Sequence, residues 1–158
     1  DLSLASAASC LSAYLLGGAA GIAVGGFVAN RRAQEQIIAL CISFGALISL
    51  LLASGVVVGW AVLPLMAVMG FGIGIAGPSR DLLVRRAATQ AFGEASYGRV
   101  YGFVYSGLDA GLATAPLIFG PIMDGGHFST LWVAVALLQG LAVLSALLVG
   151  RQADQDGV

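Results

Sequence analysis

The sequence predicts an all-α membrane protein with five transmembrane helices, and three observations carry that expectation. Hydrophobic residues make up 59% of the 158 residues and charged residues only 9%, against roughly 45 to 50% and about 25% in soluble domains. Residues 2–29 carry no charge and neither do residues 36–79, so the polar break between them belongs at a water interface. The basic residues, all seven of them arginines, are confined to short polar segments. The mean hydropathy of +0.96 agrees with a chain solvated by lipid.

The first span, residues 2–29, exceeds the ~20 residues needed to cross a ~30 Å hydrocarbon core and so crosses with some tilt. Within it Gly17, Gly21 and Gly25 recur every four residues, which puts three positions without side chains on one helix face and lets another backbone approach. Ser9, Ser12 and Tyr14 are its polar members, and Tyr14 is a candidate for lining a solute cavity. The break that follows, from Gly25 through Arg31 and Arg32 to Glu35, is a short loop. As one helix, residues 36–79 would measure about 66 Å, twice the bilayer core, so this stretch turns back at Ala53-Ser54-Gly55. That gives a second span over 36–53 and a third over 56–79. In the third, Trp60 sits near an interface, Pro64 bends the helix, and Gly70 and Gly74 form another small-residue face.

Gly72, Gly74 and Gly77 match the spacing G-x-G-x-x-G. A dinucleotide fingerprint needs a preceding strand and a helix N-terminus in water, so inside a membrane run these glycines are expected to serve helix packing. Leu82, Leu83, Val84, Ala87 and Ala88 favour helix, and the third helix is expected to extend into the aqueous phase to about residue 92. Its charges, including Arg80, Asp81, Arg85 and Arg86, are read as a solvated interfacial face with snorkelling arginines.

The fourth span, 99–123, holds Asp109, the one acid inside a membrane run. Counting about 15 Å from Arg99 places this carboxyl near mid-membrane. Tyr105 lies one turn before it on the same face, with Gly107, Gly111 and Ala115 on nearly the opposite face. Those glycines, together with Pro116, are expected to pack against a neighbour, while the other face carries chemistry. A mid-membrane carboxyl faces protein or a wet cavity, which makes Asp109 and Tyr105 candidates for proton coupling or substrate contact. Residues 124–127 form a turn with a solvated His127. The fifth span, 130–150, is expected to face lipid, with Gln139 its only strongly polar interior residue, and the tail beyond it to be disordered.

With five spans, Arg31 and Arg32, then Arg80, Arg85, Arg86 and Arg99, then Arg151 all fall on one side. The positive-inside rule puts the amino end outside and the carboxyl end in the cytoplasm, in a bacterial inner or plasma membrane. Cys10 and Cys41 lie singly in apolar runs, without ligand-type spacing. No metal or cofactor is implied, and a net charge of -1 argues against a nucleic-acid partner. The run from Leu2 is too long for the h-region of a cleavable signal and has no basic stretch before it, so it is not expected to be one, and a chain that opens on Asp1 almost directly into a membrane run is expected to be a fragment or truncated product.

Several of these residues resemble the major facilitator superfamily of secondary transporters. Gly26-x-x-x-Asn30-Arg31 looks like its cytoplasmic loop signature G-x-x-x-D-R-x-G-R, with Asn30 in place of the acid, Ala33 in place of the later glycine and Gln34 in place of the later basic residue. Gly102 to Gly111, through Pro116, Gly120 and Asp124, is similar to helix eleven of many bacterial members. Gly111-x-x-x-Ala115-Pro116-x-x-Phe119-Gly120 resembles the family motif GxxxGPxxGG, with two glycines replaced. The resemblance implies that the five spans correspond to helices eight to twelve of the carboxyl-terminal six-helix bundle, with the amino-terminal half of the carrier as the absent partner. It also implies a first span facing that half, third and fourth spans lining the cavity, and peripheral second and fifth spans.

The function expected is therefore part of a symporter or antiporter that moves a small solute by alternating access, with a proton as candidate coupling ion. A non-transporting membrane scaffold or assembly subunit is the alternative. An intramembrane enzyme has no support, since the sequence has no HExxH, no Ser/His pairing and no acid pair within a span.

Overall fold

The computed structural model describes residues 4–29 and 34–155. Five long helices follow one another: α1 (Leu4–Val28), α2 (Gln34–Ala53), α3 (Gly59–Phe92), α4 (Tyr97–Asp124) and α5 (Phe128–Gln155), with a single 3-10 turn, Glu94–Ser96, between α3 and α4. All five are long and apolar enough to cross a membrane. The loop residues Asn30, Arg31, Arg32 and Ala33 lie outside the described residues, so of the loop signature only Gly26 is seen, where an added β-carbon would meet no described atom within 4 Å.

Glycine makes the reversals possible. Gly55, Gly93 and Gly126 take φ of 70°, 78° and 73°, a left-handed region that costs other L-residues a clash with their β-carbon. Gly93 also stops α3, its amide bonding back to the Thr89 carbonyl at 2.9 Å. The third helix starts at Gly59 rather than at residue 56, because the residue that caps it, Val58, is extended at φ -69° and ψ 141°. Pro64 and Pro78 are both inside this 34-residue helix. At about 1.5 Å per residue it measures about 51 Å, so it outruns a ~30 Å hydrocarbon core by about 20 Å.

Helix α3 is the centre of the arrangement, in contact with the other four helices, while α1, among the described residues, touches α3 alone. The α1/α3 seam is built backbone to backbone. Gly17, Gly21 and Gly25 face the carbonyls of Ala67, Phe71 and Ile75, and Gly70 and Gly74 face those of Tyr14 and Gly18. Residue numbers rise together along both helices, so α1 and α3 are parallel, as two helices separated by one intervening span must be. A β-carbon at any of these five positions would strike the opposing backbone. What holds the seam is close dispersion contact and Cα–H···O approach, the usual resource of helices that gain nothing by leaving lipid. The glycine face of α1 is thus covered by α3, rather than turned outward to a further half.

Helices α2 and α5 pack antiparallel. The Ser49 hydroxyl is fully buried and lies 3.0 Å from the Gly45 carbonyl and 3.3 Å from Gln139 Oε1. At the other end Glu35, buried in the first turn of α2, packs against Gly150. The fifth helix is therefore two-faced: Gln139 turns inward to α2, while Leu137, Leu141, Leu144 and Leu148 are exposed. The lone polar residue was the clue to its inner face, since burying an amide requires a partner.

Helix α4 differs from the others in having no buried residue. It leans on α3 near its start and on α5 near its end, where Ala115, Phe119 and Ile122 are half-buried. Residues 106–114, between these supports, are exposed throughout. A β-carbon at Gly107 or Gly111 would meet nothing within 4 Å. These glycines, and Pro116 beside them, therefore form no packing seam within the described chain, contrary to the sequence expectation.

Candidate functional site

The start of α4 carries Tyr97, Tyr101 and Tyr105 at intervals of four residues, followed by Asp109. Such spacing stacks side chains along one side of a helix with a slow drift around it. Tyr101 and Tyr105 are stacked with ring centroids 4.3 Å apart, and Tyr97 tilts against Tyr101 at 5.3 Å. Because α3 and α4 form a hairpin about Gly93, this aromatic column runs beside the charged end of α3.

Two arginines of α3 engage the column. The Arg80 guanidinium donates to Asp81 Oδ1 from Nε at 3.3 Å and from Nη2 at 3.2 Å, and Nη2 also donates to the Tyr105 hydroxyl at 3.0 Å. The Tyr105 hydroxyl in turn donates to Asp81 Oδ1 at 2.9 Å, which closes a three-membered ring of hydrogen bonds. Arg80 also lies over the Tyr105 ring, 5.4 Å from its centroid, and Arg85 over the Tyr97 ring at 6.0 Å. The Arg80 and Asp81 side chains are 43% and 38% exposed, a setting in which an ion pair alone contributes about 0 to 1 kcal/mol. The tyrosine gives the cluster its structural meaning, because it is the one member from α4.

Arg80 and Asp81 are therefore not merely solvated charges at the end of a span. They hold the start of α4 through a phenol that both donates and accepts, leaving Asp109 one turn further along the helix. Asp109 itself is exposed and makes no hydrogen bond to a described residue. It lies about 18 Å along a helix of about 42 Å. Tyr14 is half-buried on α1, with its carbonyl against Gly70. Since α1 does not touch α4, the structure does not bring Tyr14 together with Tyr105 and Asp109. Cys10 and Cys41 are both free thiols, and among the described residues no three His, Cys, Asp or Glu side chains gather as metal ligands would.

The cluster has a direct test. Tyr105→Phe keeps the ring and its stacking on Tyr101 but removes the hydroxyl that joins α4 to α3. It is expected to cost about 1 kcal/mol, the usual net worth of such a bond, and to lose its effect when Asp81→Asn and Arg80→Gln are already present. Thermal unfolding of the single and combined variants in detergent measures this coupling. Strictly additive effects would show that the tyrosine and the ion pair do not act together.

Compared with protein-family models, with curated proteins and with solved structures, the chain shows no match.

Proposed function

We propose that this chain is part of a secondary active transporter that moves a small solute across a bacterial inner membrane by alternating access, with a proton carried at Asp109. The observation that supports this most is the middle of α4, where nine consecutive exposed residues, 106–114, surround an acid in a membrane-length helix. Tyr105, one turn before Asp109, bonds Arg80, the first charge beyond the third span, so Asp109 sits about 6 Å inside the hydrocarbon edge. A carboxylate facing lipid there is still unfavourable, its cost rising towards ~2.5 to 3.5 kcal/mol at the bilayer centre. This face therefore meets water or further protein, as a helix lining the cleft between two helical halves would, with Asp109 on the arginine-bearing side of the midplane. The similarity of α4 to helix eleven of the major facilitator superfamily points the same way, with the amino-terminal half of the carrier as the partner that completes the cavity. In this reading the arginine-bearing end of the bundle faces the cytoplasm and the amino end lies outside.

The open face of α4 also suits a scaffold or assembly subunit whose partner covers it, and transport distinguishes the two. Inverted membrane vesicles from cells expressing the whole natural open reading frame that contains this chain, supplied with an amino-terminal half where that frame encodes none, are energised to hold a pH gradient and challenged with pools of small solutes. The carrier reading expects one pool to dissipate the gradient. No response to any pool, with the chain present in the membrane, contradicts it and favours the scaffold.

A further inference from the structure

Beyond the last apolar turn of α3 lies an open groove of about 800 Å³, with Gln34 of α2, Arg85, Arg86 and Gln90 of α3, and Tyr97 of α4 among its lining residues. We infer that this groove binds the phosphate headgroup of an anionic phospholipid. The inference rests on the membrane reading of the chain and is independent of whether the chain transports anything.

Depth is the first support. Arg80 is the first charge after the uncharged stretch 36–79 and so marks the edge of the hydrocarbon. Arg85 and Arg86 follow it by five and six residues, about 8 to 9 Å further along the axis. The headgroup layer on each side of a bilayer is about 5 to 8 Å thick. The backbone at Arg85 and Arg86 therefore sits at the outer limit of that layer, and their long side chains, tilted toward the amino end of α3 and so toward the bilayer, reach back to the level of the lipid phosphates. A basic pocket between helices at that depth is the arrangement that captures anionic headgroups.

The chemistry of the lining is the second. Among the described residues the lining carries Arg85 and Arg86 with one carboxylate, Glu94, and Gln34, Thr89 and Gln90 add neutral donors. Arg85 rests over the Tyr97 ring at 6.0 Å, which orients its planar fork without using its N–H groups. An oriented guanidinium can give two parallel hydrogen bonds to phosphate oxygens. Leu82 supplies an apolar wall on the side of the hydrocarbon, suited to the glycerol end of a lipid. The volume falls within the roughly 300 to 1,000 Å³ of small-ligand sites.

The test is the thermal midpoint of the purified chain in a neutral detergent, titrated with phosphatidylglycerol, phosphatidylcholine or glycerol 3-phosphate. Phosphatidylglycerol is expected to raise Tm saturably, whereas phosphatidylcholine and glycerol 3-phosphate leave it unchanged. Replacing both arginines, Arg85→Gln with Arg86→Gln, should weaken the phosphatidylglycerol response at least tenfold, each variant being read against its own lipid-free Tm because Arg86 also interacts within the chain. Arg151→Gln should not change the response. If the double variant unfolds without lipid, Arg85→Lys with Arg86→Lys serves instead, keeping charge but losing the fork, and should retain a weakened response. An equal response in wild type and arginine variants would overturn the proposal. A rise with glycerol 3-phosphate equal to that with the lipid would overturn its lipid half and assign the groove to a soluble phosphate ester.

Discussion

Asp109→Asn is expected to abolish solute-driven proton movement in vesicles while leaving the protein folded. Asparagine keeps the shape of the side chain and can still hydrogen-bond, but it cannot release or take up a proton. The expected loss is about 10²-fold or more, the scale on which removing a positioned proton-transfer group lowers a rate. Solute exchange without a pH gradient should persist, since reorientation of a loaded carrier needs no titration at this position. Because residues 106–114 are exposed and Asp109 has no hydrogen-bond partner among the described residues, the substitution breaks no contact within the chain. Unchanged coupling in Asp109→Asn would remove the acid from the mechanism. Should Asp109→Leu then prove destabilising, its role is structural.

The second large effect is expected at the α1/α3 seam. Gly70→Leu inserts a side chain where a single β-carbon would already strike the Tyr14 backbone, and Gly21→Leu does the same against Phe71. Neither obstacle is a side chain that can rotate away, so the helices must separate. Overpacking of this kind costs typically about 1 to 3 kcal/mol, and here each added side chain also breaks neighbouring glycine contacts in the same seam. Gly107→Leu is the control, because its added side chain meets open space. Fluorescence-detected size-exclusion after heating should show early loss of the first two variants and little change in the third. Equal stability of all three would mean that α1 and α3 do not meet through their glycines.

The five helices were legible because lipid imposes a coarse rule that composition obeys: long uncharged stretches span, and polar breaks turn. Repeated glycines at 17, 21 and 25 and at 70 and 74 likewise marked faces that meet another backbone, though not which backbone. Their partners depend on how four helices share one central neighbour, which no local pattern encodes. Gly107 and Gly111 show the limit, since the same spacing marks a helix face that nothing in the described chain covers. The Arg80, Asp81 and Tyr105 cluster was missed for a different reason. Its members were weighed one span at a time, whereas folding the chain about Gly93 places Arg80 and Tyr105 at nearly equal distances from the turn. The tyrosine repeat at 97, 101 and 105, read together with that hairpin, was the available signal. Gln139 is similar, because a lone amide in an apolar helix indicates an inward face once the cost of burying it unpaired is considered.

Thiol accessibility reads whether the Asp109 face of α4 borders water within the membrane, as a role in transport requires. Single cysteines are placed by Asp109→Cys and by Leu137→Cys, the latter on the exposed apolar face of α5, in a background lacking Cys10 and Cys41. Gln90→Cys and Gly126→Cys mark the two ends of the bundle. In intact cells an impermeant thiol reagent should label Gly126→Cys and spare Gln90→Cys. In inverted vesicles or proteoliposomes a small water-soluble reagent should label Asp109→Cys, while Leu137→Cys stays unreactive in lipid. If Asp109→Cys is as inert as Leu137→Cys in both preparations, the face of α4 is sealed from water, and the account of this chain as the wall of a transport pathway is wrong.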